Sequence, residues 1–298
     1  MDMFTEIQKN LLDISLGHIV FGVLSFIVGF LFNYLRTRWQ DRRFRRFFGG
    51  ERNEERIRLV YGQFTELISP DDQANPGFAN AQKIYHIGHK KVVNVRRFSE
   101  FAGASTITAV NYISNELLKH KHFPSKVYTD VDAIKNYNHS FISIGGPASN
   151  ELTDSIMDRE DNIYFEFEIP ENPTSNSLFQ LYKKTPNGKV KLERLSDFDY
   201  GIIIRLDNRH EHDFVKNSVY FVCAGLGSHG TSGASYYLAN NWKALYRKYK
   251  TDEFGVLLRV RKGAGTDVEV VEFVSKALSK STLRRFKVRL KRWLKSKK

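Results

Sequence analysis

The sequence SVYFVCAGLGSHGTSGASYYLANNWKAL (218–245) predicts a buried strand, a glycine-rich loop and a helix in direct succession. The loop fits G-x-G-x-x-G, in which backbone N–H groups and a helix N-terminus face a phosphate. The dinucleotide fingerprint also needs an acid about 20 residues later, which is missing. The next strand instead runs into Arg261 and Lys262, which suit a phosphate. The expected ligand-binding residues are Gly225, Gly227, Ser228, His229, Gly230, Thr231 and Ser232.

A second glycine turn, containing Gly145 and Gly146, also follows a predicted strand and precedes a predicted helix, with Asn150 as its N-cap. In an open α/β sheet such turns meet at the carboxyl edge of the strands, where ligands bind. We therefore expect both turns to contact a nucleotide or another phosphate-bearing ligand. The alternative is that both are tight connections that bind nothing.

Further predicted strands and helices extend this pattern along the chain. Apolar runs at 200–206 and 254–260 suit buried strands, residues 106–120 suit a helix, and Asn187-Gly188 predicts a hairpin turn. The predicted fold class is α/β. It consists of an N-terminal transmembrane helix and a cytoplasmic Rossmann-like domain with a mixed sheet and an inserted β-hairpin.

An apolar segment near the N-terminus predicts a transmembrane helix. Residues 14–35 carry no Asp, Glu, Lys or Arg, and about 20 residues suffice to span a bilayer. A cleaved signal peptide fits poorly, because the positive charge follows the apolar run. The Arg cluster on the C-terminal side predicts an N-terminus outside and the bulk in the cytoplasm of a cell with an inner membrane.

The weakly apolar residues of this helix recur at helical spacing, which places them on one face. Small residues allow close helix packing, and an ionisable residue in a span is a functional hypothesis. One interpretation is a self-association seam, and the other is the lining of a pore. A pore requires a homo-oligomer, with a tetramer favoured. The residues are Ser15, His18, Gly22, Ser25, Gly29 and Asn33.

The formal net charge of +13 is concentrated in two short segments. Residues 36–46 carry +5 and residues 273–298 carry +11, so the remainder sums to −3. This distribution excludes a protein that is basic over its whole surface, such as a DNA-coating protein. The single Cys223 excludes a disulfide framework and a cysteine-rich zinc site.

Five segments follow from these features. Residues 1–13 form an extracytoplasmic N-terminus and 14–35 the transmembrane helix. Residues 36–77 form a basic junction and a stalk helix, predicted from apolar residues at helical spacing within 51–68. Residues 78–274 form the α/β sensor domain, and 275–298 form a basic amphipathic helix.

The C-terminal segment fits a membrane-surface helix, a polyanion-binding helix or a charged face that only packs. Anionic lipid is therefore one expected partner, and nucleic acid is the alternative. The residues expected to contact lipid or polyanion are Arg36, Arg38, Arg42, Arg43, Arg45, Arg46, Arg284, Arg285, Lys287, Arg289, Lys291 and Arg292.

No residue pattern predicts a catalytic or metal site. His210 and His212 have metal-like spacing, but their neighbours indicate a polar surface loop without a second ligand cluster. His120 with His122, and His86 with His89, are similarly isolated pairs, and Cys223 lies in an apolar strand typical of a core. No cofactor is predicted beyond a nucleotide or oligonucleotide ligand.

The layout of one span, an Arg-rich junction and an α/β domain with GLGSHGTSG resembles the membrane effectors of bacterial nucleotide-signalling antiphage systems. CBASS and Pycsar effectors are similar in plan, and the oligonucleotide-gated channel effectors of Hailong-type systems look closest. The resemblance implies an ion channel gated by a nucleotide or single-stranded oligonucleotide, which a partner nucleotidyltransferase would make. The alternatives are a membrane-tethered nucleotide-processing enzyme, of glycosidase or transferase type, and a non-catalytic membrane scaffold.

Overall fold

The computed structural model divides the chain into two compact units, Met1–Phe44 and Arg45–Lys298. The residues that it describes are 3–49, 57–62, 64–67, 82–86, 91–98, 103–120, 126–134, 139–170, 179–207 and 218–275. Each unit is treated by itself below.

Helix α1 (Met3–Phe48) forms the first unit and contributes its last turn, Arg45–Phe48, to the second. Its segment Val20–Phe48 is long and apolar enough to cross a membrane, with a mean hydropathy of 1.6 over its most apolar window. The described side chains between Val20 and Leu35 are all exposed in the single chain. The expected N-terminal apolar helix is therefore present, and its length and composition suit a membrane span or a signal sequence.

The second unit contains thirteen described strands and four further helices. In chain order these are β1 (Arg58–Tyr61), β2 (Phe64–Leu67), β3 (Gln82–His86), β4 (Lys91–Phe98), α2 (Ala104–Lys119), β5 (Lys126–Thr129), α3 (Asp130–Ile134), β6 (Phe141–Ile144), α4 (Glu151–Met157), β7 (Phe165–Glu168), β8 (Gln180–Thr185), β9 (Gly188–Lys191), β10 (Phe198–Asp207), β11 (Val219–Gly225), α5 (Ser228–Tyr249), β12 (Phe254–Arg261) and β13 (Val268–Val274).

Seven strands form the central sheet in the order β13-β12-β10-β11-β6-β1-β5. The four strands β5, β1, β6 and β11 are parallel, whereas β10, β12 and β13 join antiparallel. The predicted α/β class with a mixed sheet is therefore confirmed. Two three-stranded antiparallel sheets, β2-β4-β3 and β7-β8-β9, accompany the central sheet.

Burial on both faces explains the apolar runs of the central strands. Every residue of β6 is buried, and so is every residue of β11 except Gly225 at its end. A strand covered on both faces gains from apolar residues at consecutive positions, which removes the usual alternation. Cys223 is fully buried in β11, as expected of a core residue.

The stalk helix predicted within 51–68 is wrong where the structure describes this segment. Residues 58–61 and 64–67 are strands β1 and β2, and β1 lies between β5 and β6 in the central sheet. The α/β domain therefore begins before residue 78. Leu59 and Val60 are neighbours and both are fully buried, because the sheet is covered on both faces. A short apolar run of this kind does not distinguish a helix from a central strand.

The last turn of α1 ends inside the aromatic core of the second unit. Phe47 and Phe48 are buried, with ring centroids 5.2 and 5.1 Å from that of Phe221. Phe47 also stacks on Phe254 at 6.1 Å and lies 6.4 Å from Trp242. Aromatic pairs at these separations add to the stability gained from burial alone.

Arg205 of β10 holds this helix end in place. Its guanidinium is 1% exposed, donates to the Phe47 carbonyl at 3.2 Å and pairs with Asp207 at 3.0 Å. It also donates to the carbonyls of Thr251 at 2.6 Å and Asp252 at 3.2 Å, in the turn after α5. One buried cation therefore joins α1, β10 and the segment before β12. We call this end of the sheet, with Phe47, Phe48, Arg205 and Phe254, the anchor edge.

Gly49 closes α1 next to this anchor. It adopts a φ of +81°, the left-handed conformation that commonly ends helices. The Ser140 hydroxyl donates to its carbonyl at 2.8 Å, and a Cβ at position 49 would lie 2.5 Å from that hydroxyl oxygen. The helix end therefore meets the start of β6 through a position that only glycine fits.

Replacing the anchoring cation is expected to destabilise the second unit strongly. Arg205→Met removes the partner of buried Asp207 and of three carbonyls, which should cost about 3–5 kcal/mol. In a domain of this size that loss lowers the melting temperature by on the order of 10 °C, as measured by thermal unfolding of the purified full chain. Arg261→Met is the matched control, because its pair with Asp267 is exposed. Equal melting temperatures for the two variants would contradict the anchoring role.

Candidate functional site

Close backbone packing explains the glycines of the loop after β11. A Cβ at Gly225 would lie 2.5 Å from the Thr231 nitrogen, and one at Gly230 would collide with the Tyr200 carbonyl. On the facing strand, a Cβ at Gly201 would lie 2.5 Å from the Gly230 carbonyl oxygen. The glycines therefore let the first turn of α5 lie directly on β10 and β11, as the third glycine of a dinucleotide loop does.

A carboxylate of the chain itself occupies the N-terminus of α5. Asp199, at the start of β10, accepts the Gly230 N–H at 2.7 Å through Oδ2. A Cβ at Gly227 would lie 2.7 Å from the same oxygen, so this glycine makes room for the carboxylate. Negative charge near a helix N-terminus is favourable, and Asp199 supplies it. A phosphate therefore has no access to the Gly230 amide while Asp199 stays in place.

The second glycine turn is built in the same way. Asn150 caps α4 as predicted, with its side-chain oxygen accepting the Thr153 N–H at 3.0 Å. Asp130, at the end of β5, accepts the Glu151 N–H at 2.9 Å and is fully buried. Gly145 adopts a φ of +120°, which only glycine adopts readily. This helix N-terminus also has an internal carboxylate.

The structure brings the two turns together at one edge of the central sheet. The Gly145 N–H donates to the Cys223 carbonyl at 3.0 Å, and a Cβ at Gly146 would lie 3.3 Å from the Gly225 carbonyl oxygen. Both turns follow the carboxyl ends of the parallel strands β6 and β11. We call this end of the sheet, with Gly62, Gly145, Gly146, Gly225 and Gly227, the glycine edge.

A cavity of about 230 Å³ opens at the glycine edge beside the first turn of α5. It lies between the amino end of β10, the loop after β11 and the end of β12. Charged, aromatic and apolar side chains share its lining, which consists of Arg194, Leu195, Phe198, Asp199, Tyr200, Leu226, Gly227, Ser228, His229 and Lys262.

Two cations flank the buried carboxylate in this cavity. Lys262 donates to the Leu195 and Ser196 carbonyls at 2.9 and 2.8 Å, and Arg194 donates to the Phe179 carbonyl at 2.8 Å. These bonds fix the two side chains and leave further donors on each. His229 accepts the Gly263 N–H at 3.4 Å through Nε2, which holds its ring beside the end of β12.

Burial raises the pKa of the Asp199 carboxyl above its ordinary value. The amides of Gly230 and Tyr200 and the charges of Lys262 and Arg194 act in the opposite direction. Desolvation thus outweighs the groups that stabilise the ionised form. A carboxyl with a raised pKa in a cleft is a frequent feature of functional sites.

The predicted loop residues fall into three groups. Gly227, Ser228 and His229 line the cavity, Gly230, Thr231 and Ser232 are buried in α5, and Gly225 ends β11. Gly225, Gly145 and Gly146 do not belong to the cavity lining. The Thr231 hydroxyl donates to the Gly227 carbonyl at 3.4 Å and so belongs to the helix turn.

Burial raises the pKa of the Cys223 thiol to about 12, which leaves this cysteine without nucleophilic character.

Sequence reasoning missed Arg194 and Asp199. The dinucleotide fingerprint places its acid after the glycine loop, whereas the carboxylate that contacts this loop, Asp199, lies 31 positions before Gly230. A charged residue before an apolar strand was the only available signal. Lys262 was noted as suiting a phosphate, and it does line the cavity.

The predicted membrane residues lie on α1. His18, Gly22, Ser25, Gly29 and Asn33 are exposed in the single chain, and a Cβ at Gly22 or Gly29 would meet no atom within 4 Å. The side chain of Ser15 is outside the described residues. We call these residues of α1 the small-residue stripe. Its described part has free space in which a neighbouring helix could pack.

The basic junction is also on α1. Arg36, Arg38, Arg42 and Arg46 are exposed, while Arg43 stacks on the Trp39 ring at 3.2 Å and Arg45 is half-buried. The tail residues Arg284, Arg285, Lys287, Arg289, Lys291 and Arg292 lie outside the described residues, as do His89, His122, His210 and His212. Within the described ranges no group of three or more His, Cys, Asp or Glu side chains suits a metal ion.

Comparisons of this chain with protein-family models, with curated proteins and with solved structures found no match.

The cavity carboxyl is expected to make stability depend on pH. Because burial raises the pKa of folded Asp199, its ionisation disfavours folding, and stability is lost as pH rises through that raised value. Asp199→Asn keeps an oxygen for the Gly230 amide and cannot ionise. Its melting temperature relative to wild type should therefore rise between about pH 4 and about pH 7. Asp199→Ala, which loses the acceptor, should be less stable than Asp199→Asn at both values. A pH-independent difference between wild type and Asp199→Asn would contradict the burial argument.

Proposed function

We propose that this chain is a single-pass membrane protein whose α/β domain binds a nucleotide at the glycine edge. The observation that carries the proposal is the cavity beside α5, where Arg194, Lys262, His229 and buried Asp199 converge. Small-molecule sites typically consist of a partly apolar cleft into which a small number of polar groups converge.

The charges of the cavity suggest how a nucleotide would be oriented. Arg194 and Lys262 are the groups suited to its phosphate, since Asp199 already accepts the Gly230 amide. Asp199 in turn suits hydroxyl or N–H donors of the ribose or base, the role of the acid in dinucleotide sites. Phe198 and Tyr200 supply apolar surface for a base. At about 230 Å³ the cavity is smaller than a typical ligand pocket, so a nucleotide would fill it with one part and extend beyond it with the rest.

Strand order supports the choice of this edge. The parallel strands follow the order β5-β1-β6-β11, which supports a doubly wound plan of flavodoxin-like order, with its reversal between β1 and β6, next to the strand β11 that leads into the cavity. Ligands of such sheets bind outside the carboxyl ends of the strands near the reversal. The hairpin β8–β9, in its separate sheet, is then an insertion into this plan.

We further propose that α1 self-associates through its stripe of small and polar residues, as a tetramer, and forms an ion channel. The N-terminus would lie outside the inner membrane and the α/β domain in the cytoplasm. Resemblance to antiphage effectors suggests a nucleotide or oligonucleotide signal, made by a partner nucleotidyltransferase. Such a ligand gates the channel only if it binds one state of the oligomer more tightly.

Nucleotide binding is tested with the full chain in detergent, using adenosine and adenosine 5′-monophosphate as probes. We expect Arg194→Ala or Lys262→Ala to weaken the monophosphate by about tenfold, the effect of one charge-assisted contact, without changing adenosine binding. Asp199→Asn should weaken both probes. Lys191→Ala, at an exposed position of β9, is the control. Binding of neither probe, nor of NAD, cyclic dinucleotides or short oligoadenylates, would exclude the site.

Channel function is tested by ion flux from vesicles that contain the full chain, with each nucleotide that binds. Gly29→Leu places a large side chain on the stripe and should abolish flux, because close helix packing is lost. Gly17→Leu, the same change off the stripe, should retain flux. Absence of flux in every ligand state, or equal flux from both variants, would contradict the channel.

A second candidate function is a membrane-tethered nucleotide-processing enzyme. It is favoured by the raised pKa of Asp199 close to His229 in one cleft, a combination suited to proton transfer. Incubation of the full chain with NAD and with nucleoside triphosphates, followed by product analysis, separates the two functions. Turnover that Asp199→Asn abolishes would favour the enzyme.

A further inference from the structure

The C-terminal end of α5 presents a basic stripe at the anchor edge. Lys243 and Arg247 are exposed and spaced four residues apart, so they lie on one face of the helix end, and Lys250 is exposed directly after the helix. Trp242 and Tyr246, on the adjoining face, are the residues whose rings approach Phe47. The basic stripe of α5 therefore borders the place where the last turn of α1 enters the core.

The charge of this stripe is not balanced by ion pairs among the described residues. Instead, two lysine side chains lie over aromatic rings. The Lys243 ammonium group is 5.5 Å from the centroid of the Trp242 ring, and the Lys250 ammonium group is 5.3 Å from that of Tyr246. The acids of the adjoining segments are Glu116, which accepts the Trp242 indole N–H at 2.7 Å, Asp252, which is exposed, and Glu253, which accepts the Asp207 N–H at 3.3 Å. The cationic groups thus remain available to an external anion.

Two other basic segments start from the same edge. The last turn of α1 carries Arg45 and Arg46. Strand β13 pairs antiparallel with β12 so that Val274 lies opposite Gly255, at the anchor edge. The chain therefore leaves the sheet there into residues 276–298, which contain eleven Lys and Arg and no acid. The described ends of α1 and α5 thus bring positive charge to this edge, and the sequence that follows β13 is also basic.

We propose that the anchor edge binds the anionic headgroups of a lipid bilayer, with Lys243, Arg247 and Lys250 as contacts. Lysine and arginine near a membrane surface are attracted by anionic lipid and lose this attraction beyond a Debye length. A nucleic acid fits this surface less well, because base stacking needs exposed rings and the aromatic residues of this helix end, Trp242, Tyr246 and Tyr249, are buried. The proposal does not depend on a nucleotide at the glycine edge.

The test is a lysine-acylation footprint of the full chain in nanodiscs, which leave both membrane faces accessible. Labelling of Lys243 and Lys250 is measured by mass spectrometry in phosphatidylcholine alone and in equal parts of phosphatidylcholine and phosphatidylglycerol. We expect both lysines to be labelled roughly threefold more slowly with the anionic lipid at low salt, and equally at high salt. Lys191, on exposed β9, should be labelled at the same rate in both.

Variants and competing anions distinguish lipid binding from the binding of a free anion or a nucleic acid. Arg247→Glu should reduce the protection of Lys243 and Lys250, whereas Lys191→Glu should leave it unchanged. Equal labelling in both nanodiscs would overturn the proposal. Protection in neutral nanodiscs by inorganic phosphate would also overturn it, since it would indicate a site for a free anion. Stronger protection by a single-stranded oligonucleotide than by phosphatidylglycerol would replace lipid with nucleic acid.

Discussion

The buried guanidinium of Arg205 is the contact on which the arrangement of the second unit depends. A charge that is 1% exposed is tolerated only with full hydrogen bonding, and here four oxygens supply it. Those oxygens belong to the end of α1, to β10 and to the turn before β12. Any shift of Phe47 out of its aromatic pocket would leave the cation short of a partner, so the helix end and the sheet are held as one piece.

The glycine edge and the anchor edge lie at opposite ends of the same strands. β11 begins beside Phe48 and ends at Gly225, and α5 returns from the glycine edge to the anchor edge. A ligand that moves the first turn of α5 therefore acts on the helix that carries Trp242 and Tyr246 against Phe47. Coupling of this kind needs a ligand that favours one of two arrangements.

Carboxylates of the chain itself occupy the positions in the two glycine turns where a phosphate would be expected. Both resemble phosphate cradles by sequence, yet Asp199 and Asp130 accept amides from the first turns of α5 and α4. Gly225 and Gly230 are needed for close packing, and Gly227 is needed to admit the Asp199 carboxylate. In the proposed nucleotide complex the phosphate would therefore contact the side-chain cations Arg194 and Lys262, while Gly227, Ser228 and His229 line the cavity.

Local sequence patterns predict many of the helices, strands and turns, but they do not predict contacts between residues that are distant in the sequence. The strand at β11, the glycine turn before α4 and the Asn150 cap follow from neighbouring residues, because each depends on periodicity or a single turn. β1 was assigned to a helix, since four residues covered on both faces show no period of two. Arg194 and Asp199 were missed because they reach the glycine loop only through strand pairing, and a sequence without partners does not specify which distant side chains meet.

Hydrogen exchange of the full chain in nanodiscs, with and without adenosine 5′-monophosphate, shows directly whether a nucleotide bound at the glycine edge affects the helix end at the anchor edge. We expect the nucleotide to slow exchange at 226–230 and 194–200, where the cavity lies, and to change exchange at 45–49, where α1 enters the core. Exchange that slows only outside the glycine edge, or that leaves every segment unchanged at saturating nucleotide, would contradict this expectation.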